Sequence, residues 1–258
     1  MRQLKTVFKK ELLMHTRNYS LIWIPIVFIV LSIMDPITTY YLPIILEKVG
    51  GMPEGATFEM PDVLPVDAFM MSLSQLSMFG VLIAILLTLS TVSGERKSGV
   101  LELILVKPVK TINYLGAKWL AKIFVFAIAT VIGLLISWYY VDLLFGALSL
   151  PYTILAICFF TIWFVFVISV TMVFASLLRS QVLSCGLTVI TFIILSIINS
   201  IFQHKMPWFY NNLSNLIQEM LYQEQISTDL IINLVLLVGT SILLLAGSVY
   251  LFNRKESL

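Results

Sequence analysis

The chain of 258 residues is 59% hydrophobic and only 12% charged, where soluble domains carry roughly a quarter charged residues. Its mean hydropathy of +0.99 belongs to a protein built for a bilayer and excludes a large soluble catalytic domain. A formal net charge of +2 points away from nucleic acid as a partner, and Cys158 and Cys185, both inside apolar runs, read as small buried hydrophobes, with no disulfide or metal site indicated.

From the N-terminus, Leu4, Val7, Phe8, Leu12 and Met14 share one helical arc, and Lys5, Lys9, Lys10 and Arg17 lie mostly off it. Residues 1–20 therefore read as an interfacial amphipathic helix, held by apolar burial and by anionic membrane lipids. It serves either as a topology anchor or as an element that transmits movement. Glu11 falls in the middle of the apolar arc, where an unpaired carboxylate is costly, so a basic partner is expected. The first apolar run is long and lacks a small-residue cleavage pattern, so no removed signal peptide is expected.

Apolar runs long enough to span a membrane fall at about 21–46, 68–92, 119–145, 152–178, 182–202 and 230–252. Leu21 to Met34 rises only about 21 Å, short of a ~30 Å hydrocarbon core, so the first helix runs on through Asp35 and Pro36 and is expected to kink at the proline. Asp35 is the one acid well inside an apolar run. Such carboxylates are costly enough to suggest function; Asp35 stands either as part of a substrate path or, near the outer end of its span, as a structural residue. Ser72, Ser74, Gln75 and Ser77 in the second span either coat the same path, with Gln75 the candidate there, or serve ordinary helix packing.

The segment 93–118 follows. Gly94 and Gly99 have the spacing of a phosphate-binding loop, but Val100 and Leu101 stand where that loop needs Lys and Ser or Thr. What remains is a charged turn, a short apolar helix from Val100 to Val106 ended by Pro108, and Thr111 as a cap for the next helix. A helix this apolar in a loop is either a lipid-facing turn or a surface for another protein. The only histidines, His15 and His204, lie outside the spans and read as solvated bystanders. With no H-E-x-x-H, G-x-S-x-G or paired intramembrane acids, no enzymatic chemistry is indicated.

Trp138, Tyr139 and Tyr140, and Trp208, Phe209 and Tyr210, sit where interfacial aromatic belts are expected. Within 203–229, Leu213, Leu216, Ile217, Met220 and Leu221 repeat as an amphipathic helix, which either lies in the outer interface or caps the spans. In the last span Gly239 and Gly247 allow a helix to approach closely. All the Lys and Arg except Lys48 and Lys205 fall on the side of the two termini, which makes that side cytoplasmic. The chain reads as one domain.

Glu95-Arg96-Lys97-Ser98-Gly99-Val100-Leu101-Glu102-Leu103-Ile104, on to Pro108, resembles the E-x-x-x-G-T-L-E-x-L-x-x-x-P signature of ABC-2-type ABC transporter permeases, with Val100 where Thr is usual. Lys10-Glu11-Leu12 is similar to their K-E-L opening. The resemblance implies a single transmembrane domain over 1–258: an all-α membrane protein of six transmembrane helices with an interfacial N-terminal helix and both termini cytoplasmic. It implies a dimer with a second copy or a similar permease, resting on a separate cytosolic ABC ATPase. That partner binds the ATP and Mg, so this chain needs no cofactor and is a transporter subunit, not an enzyme. It further implies that Glu11, Glu95, Gly99, Leu101, Glu102 and Pro108 couple to the ATPase, and that re-entrant helices in 203–229 narrow the exit. The expected function is the permease of an ATP-driven exporter of a peptide, lipid or drug-like compound in the cell (plasma) membrane. The alternative is a non-transporting membrane assembly or docking protein.

Overall fold

A computed structural model describes residues 2–49, 63–97, 110–178 and 180–256. Their regular structure is helical throughout: α1 (Arg2–Arg17), α2 (Ser20–Val49), α3 (Pro65–Gln75), a π turn (Leu76–Gly80), α4 (Val81–Lys97), α5 (Thr111–Phe145), α6 (Leu150–Leu177), α7 (Gln181–Phe202), a 3-10 turn (Tyr210–Asn212), α8 (Leu213–Gln223) and α9 (Thr228–Glu256). Six stretches are long and apolar enough to cross a membrane: α2, α3 with the π turn and most of α4, α5, α6, α7 and α9. The protein is a multi-pass, all-α membrane protein.

α2 stays helical through Pro25, Pro36 and Pro43. A proline withdraws the N–H that would serve the carbonyl four residues earlier, and in lipid that carbonyl needs another donor. For Pro36 the carbonyl is that of Ser32, and Ser72 of α3 donates its hydroxyl to it at 2.5 Å. The single proton of Ser72 being committed there, the 2.6 Å contact with Ser137 of α5 has Ser137 as donor. These hydroxyls bind α2, α3 and α5 together, as helix packing requires.

At 35 residues α5 is about 52 Å long, well beyond a ~30 Å hydrocarbon core. α2 and α1 pack along it, α9 and α4 pack along α6, and α7 rests on α6 and α4. The centre is aromatic, with Phe126 stacked on Phe164 at 5.6 Å and Phe28 edge-on to Phe126 at 5.8 Å. α7 is the least covered span, with Ile190, Ile193, Ile194 and Ile197 about half exposed.

Several connections differ from the sequence reading in detail. Thr111 is not a cap: it is the first helical residue of α5, and its hydroxyl donates to Asn253 of α9 at 2.5 Å. With Asn113 bonded to Gln3 at 3.1 Å, this gathers the starts of α1 and α5 and the end of α9 at one end of the bundle. Trp138 donates to the Leu148 carbonyl at 3.0 Å and the Leu148 N–H donates to Asp142 at 3.1 Å, closing the turn between α5 and α6. All five apolar positions of the α8 repeat are buried, packed on α6 and α3, with Gln218 donating to Asp67 at 3.1 Å. Cys158 is exposed and Cys185 half-buried against the core, so neither is the fully buried hydrophobe expected.

α5 comes close to the α2 backbone at Gly133, where an added Cβ would lie 3.1 Å from Phe28 C and O. Gly133→Ala is expected to cost about 1–3 kcal/mol and lower the melting temperature of the detergent-purified protein. Gly239→Ala, with nothing within 4 Å of its Cβ, should leave it unchanged. Equal melting of the two variants would show that the approach does not limit stability.

Candidate functional site

At the end of the bundle that carries the termini, α1, α4 and α5 meet around one ammonium group. Tyr114, Lys118 and Lys122 recur every four residues on α5, so they share a face, and all three are buried. Glu11 and His15 occupy the matching stripe of α1 and are 0% and 3% exposed. Lys118, 1% exposed, pairs with Glu11 at 3.0 Å and with Glu95 at 3.0 Å. Lys10 adds contacts of 2.5 Å to Glu95 and 3.3 Å to Glu11. The Tyr114 hydroxyl donates to the other Glu95 oxygen at 2.5 Å, and the Lys118 ammonium lies 5.0 Å from the Tyr114 ring centroid.

The carboxylates differ in how fully they are satisfied. Both Glu95 oxygens are bonded. Burial pushes its carboxyl up, but Lys118, Lys10 and Tyr114 outweigh burial and hold it below the ordinary value. Lys10 is opposed by burial and held above its ordinary value by Glu95 and Glu11. Glu11 receives both lysines on Oε1, while its Oε2 is buried without a hydrogen bond. His15 Nε2 is buried without one as well, and burial followed by the fields of Lys122 and Lys118 drives the imidazole down to about 3. His15 is therefore a neutral core residue and not the solvated bystander expected, because α1 lays its stripe onto α5.

Of the residues singled out for coupling, Glu11 and Glu95 are brought into one cluster, and the basic partner expected for Glu11 is Lys118. Gly99, Leu101, Glu102 and Pro108 lie outside the described residues. The two path candidates, Asp35 and Gln75, bond to each other across α2 and α3 at 2.6 Å, half-buried, one turn from the Ser72 contact and just before the π turn. Lys10, Tyr114, Lys118, Lys122 and His15 were missed as site residues. The spacing of four shared by Glu11 and His15 on α1 and by Tyr114, Lys118 and Lys122 on α5 was the available signal for all but Lys10.

A six-span bundle whose interfacial helix is ion-paired to its spans defines a polytopic membrane protein with a built joint between its amphipathic helix and its core. The chain belongs to the ABC-2 family of transporters: the family described as ABC-2 family transporter protein matches residues 5–257, nearly the whole chain. It is also 28% identical over 191 residues to the uncharacterized transmembrane protein YxlG of Bacillus subtilis (strain 168), covering 72% of this chain and 73% of that protein. Membership makes the chain a permease subunit of an ABC transporter, a membrane component that works with an ABC ATPase.

Removing one member of a buried pair strands the other. Lys118→Met leaves Glu11 without its buried partner and is expected to cost about 3–5 kcal/mol. Glu11→Gln with Lys118→Met should recover most of that loss, since Glu95 keeps Lys10 and Tyr114; a double variant as unstable as the single one would mean that the loss comes from packing and not charge. The pH dependence follows from His15. Its folded value of about 3 lies below the ordinary 6.5, so the unfolded chain takes the proton first. The stability present above pH 6.5 is then lost as pH falls from about 6.5 toward about 3. The melting temperature should drop between about pH 7.5 and about pH 5, and His15→Gln should flatten that drop. An unchanged slope in His15→Gln would assign it to other groups.

Proposed function

We propose that the chain is the membrane-spanning permease of an ATP-driven exporter, working with a second copy or a similar permease and converting movement of a separate cytosolic ABC ATPase into alternate exposure of a path for substrate. The end carrying α1 and both termini faces the cytoplasm. The observation that carries this reading is the Lys118 joint: Glu95 sits near the C-terminal end of α4, just ahead of the motif from Gly99 to Pro108, and Lys118 ties it to α1 and α5. A push on that motif by the ATPase therefore reaches the second and third spans and the interfacial helix together. The half-exposed isoleucine face of α7 and the open space beside Gly239 and Gly247 of α9 leave surface for the second permease.

In this reading ATP and Mg reside in the partner. Glu102 stands within an apolar stretch, and a carboxylate docked in a protein groove needs a positive or hydrogen-bonding partner. Glu102→Ala, and separately Gly99→Val, are expected to leave abundance and membrane insertion near normal while abolishing stimulated ATP hydrolysis and export in the reconstituted complex. If both variants bind the ATPase and transport as the parent does, the motif is not the coupling element, and a docking protein without transport becomes the better account. Orientation has its own check: a cysteine placed at Ser98 should react with an impermeant thiol reagent only after lysis, and one placed at Thr57 in intact cells, whereas labelling at Ser98 from outside would reverse the topology.

A further inference from the structure

Asp35 and Gln75 stand at one level in two antiparallel spans. Each is the eleventh residue from an end of a 26-residue apolar stretch, Asp35 counted back from Ile45 and Gln75 counted on from Pro65. Ten rises of 1.5 Å put both about 15 Å below that end, half-way through a ~30 Å hydrocarbon core. Asp35 therefore lies deep in the membrane and not near the outer end of its span. It is half-buried, so the carboxylate is not sealed inside the bundle. Its Oδ2 receives the Gln75 amide at 2.6 Å. Its Oδ1 receives no hydrogen bond from the described residues and is not among their enclosed polar atoms, so it opens at the surface of the chain.

A carboxylate at this depth calls for a positive partner. Inside the six spans the basic residues are Lys118 and Lys122 of α5 and Arg254 at the tip of α9. Lys122 is fifteen residues from Ser137, which meets Ser72 close to the Asp35 level, and is therefore about 22 Å away along α5. Arg254 follows Asn253, which bonds to Thr111 at the end of the bundle that carries the termini. A second copy inserted in the same sense brings the same residues at the same heights, so the cation comes from neither chain. Metal ions such as Ca²⁺ take six or more oxygen ligands, and no group of three acidic, His or Cys side chains occurs among the described residues. An organic ammonium needs far less, since one carboxylate oxygen makes a strong charge-assisted bond with it. The rest of the seam is apolar. Thr39 donates to the Met71 sulfur at 3.6 Å and closes one side; on the other, one turn from Asp35 and Gln75, stand Leu31, half-buried, and Phe79, 41% exposed. A phenyl ring beside a carboxylate suits a cation with an apolar body.

We propose that the seam between α2 and α3 binds a singly charged cationic amphiphile, its ammonium on Asp35 Oδ1 and its apolar body along Leu31 and Phe79. The Gln75 amide occupies Oδ2, which leaves Oδ1 as the oxygen for the ligand. That such a molecule is the exported substrate rests on the permease reading; that it binds here does not.

The test uses the full chain in phosphatidylcholine nanodiscs without any ATPase, with three diazirine probes of equal chain length: an alkylammonium, an alkanol and an alkyl sulfate. Ammonium adducts, located by mass spectrometry, should concentrate on residues 31–39 and 71–79 and exceed those of the other two probes there about tenfold. Unlabelled alkylammonium should compete with them and unlabelled alkanol should not. Asp35→Asn, which keeps the size and removes the charge, should bring ammonium labelling down to the alkanol level, and Asp35→Glu should keep most of it. Glu219→Gln, at an exposed acid of α8, should leave it unchanged. Competition in the parent chain decides the matter even where Asp35→Asn fails to accumulate. Ammonium labelling that equals the alkanol's, or that is not competed and matches labelling at the exposed Ile231 and Val235 of α9, would overturn the site. Preference for the sulfate would overturn the ligand class. Separation of the copies in Asp35→Asn with unchanged ammonium labelling would assign the carboxylate to the contact between permeases. Labelling as expected in a complex without ATP-driven export would remove the permease reading and leave the site; ATP-driven export without labelling of the seam would do the reverse.

Discussion

The arrangement turns on one buried ion-paired group, the ammonium of Lys118. Lys118 is 1% exposed on a helix that otherwise crosses a membrane, a position tolerable only with two carboxylates at 3.0 Å, because an isolated buried charge costs several kcal/mol. Those carboxylates come from elements with different loyalties. Glu11 belongs to the amphipathic α1, which anionic lipid and apolar burial would hold at the interface in any case. Glu95 belongs to the end of α4, where the chain leaves the membrane. A well-packed apolar joint of similar volume would be about as stable. What the ionic one adds is a definite register, since Glu11, Glu95 and Lys118 meet only when the three helices stand at one axial offset.

The parts of this arrangement that were legible in the sequence are those that express periodicity. The α8 repeat was visible because five apolar positions recur at helical spacing, and all five are buried. Glu11 was visible as a misfit on an apolar arc, so the need for a basic partner could be read, though not which one. Lys118 and Lys122 were hidden by the same count that orients the chain: a rule that treats every lysine at or before the foot of a span as a charge in water cannot tell the solvated ones from the two that α5 turns inward. His15 was misread for that reason too. Asp35 and Gln75 were each legible as polar residues in apolar runs, but their bond depends on the phase of α2 against α3, and that phase is set by Ser72 meeting the carbonyl freed at Pro36, a contact between residues 40 apart in sequence.

The second span carries polar contacts along its whole length. At one end Asp67 receives Gln218 from α8; further in, Ser72 and Gln75 bond to α2 and α5; the π turn faces a cleft; and Glu95 closes the far end on Lys118. An α-helix transmits an axial push with little loss, since shortening it means breaking its hydrogen bonds. A π turn differs, because its bonds close over five residues instead of four, and the exchange between the two patterns shifts the phase of everything beyond it while the chain stays bonded. Gly80 sits at the end of that turn with no side chain, where a Cβ would come within 3.0 Å of the Phe164 ring, so the turn is packed tightly on its core side and borders the cleft on the other. Ser77 and Met78, whose orientation depends on the phase of that turn, line that cleft together with residues of α4, α6 and α7.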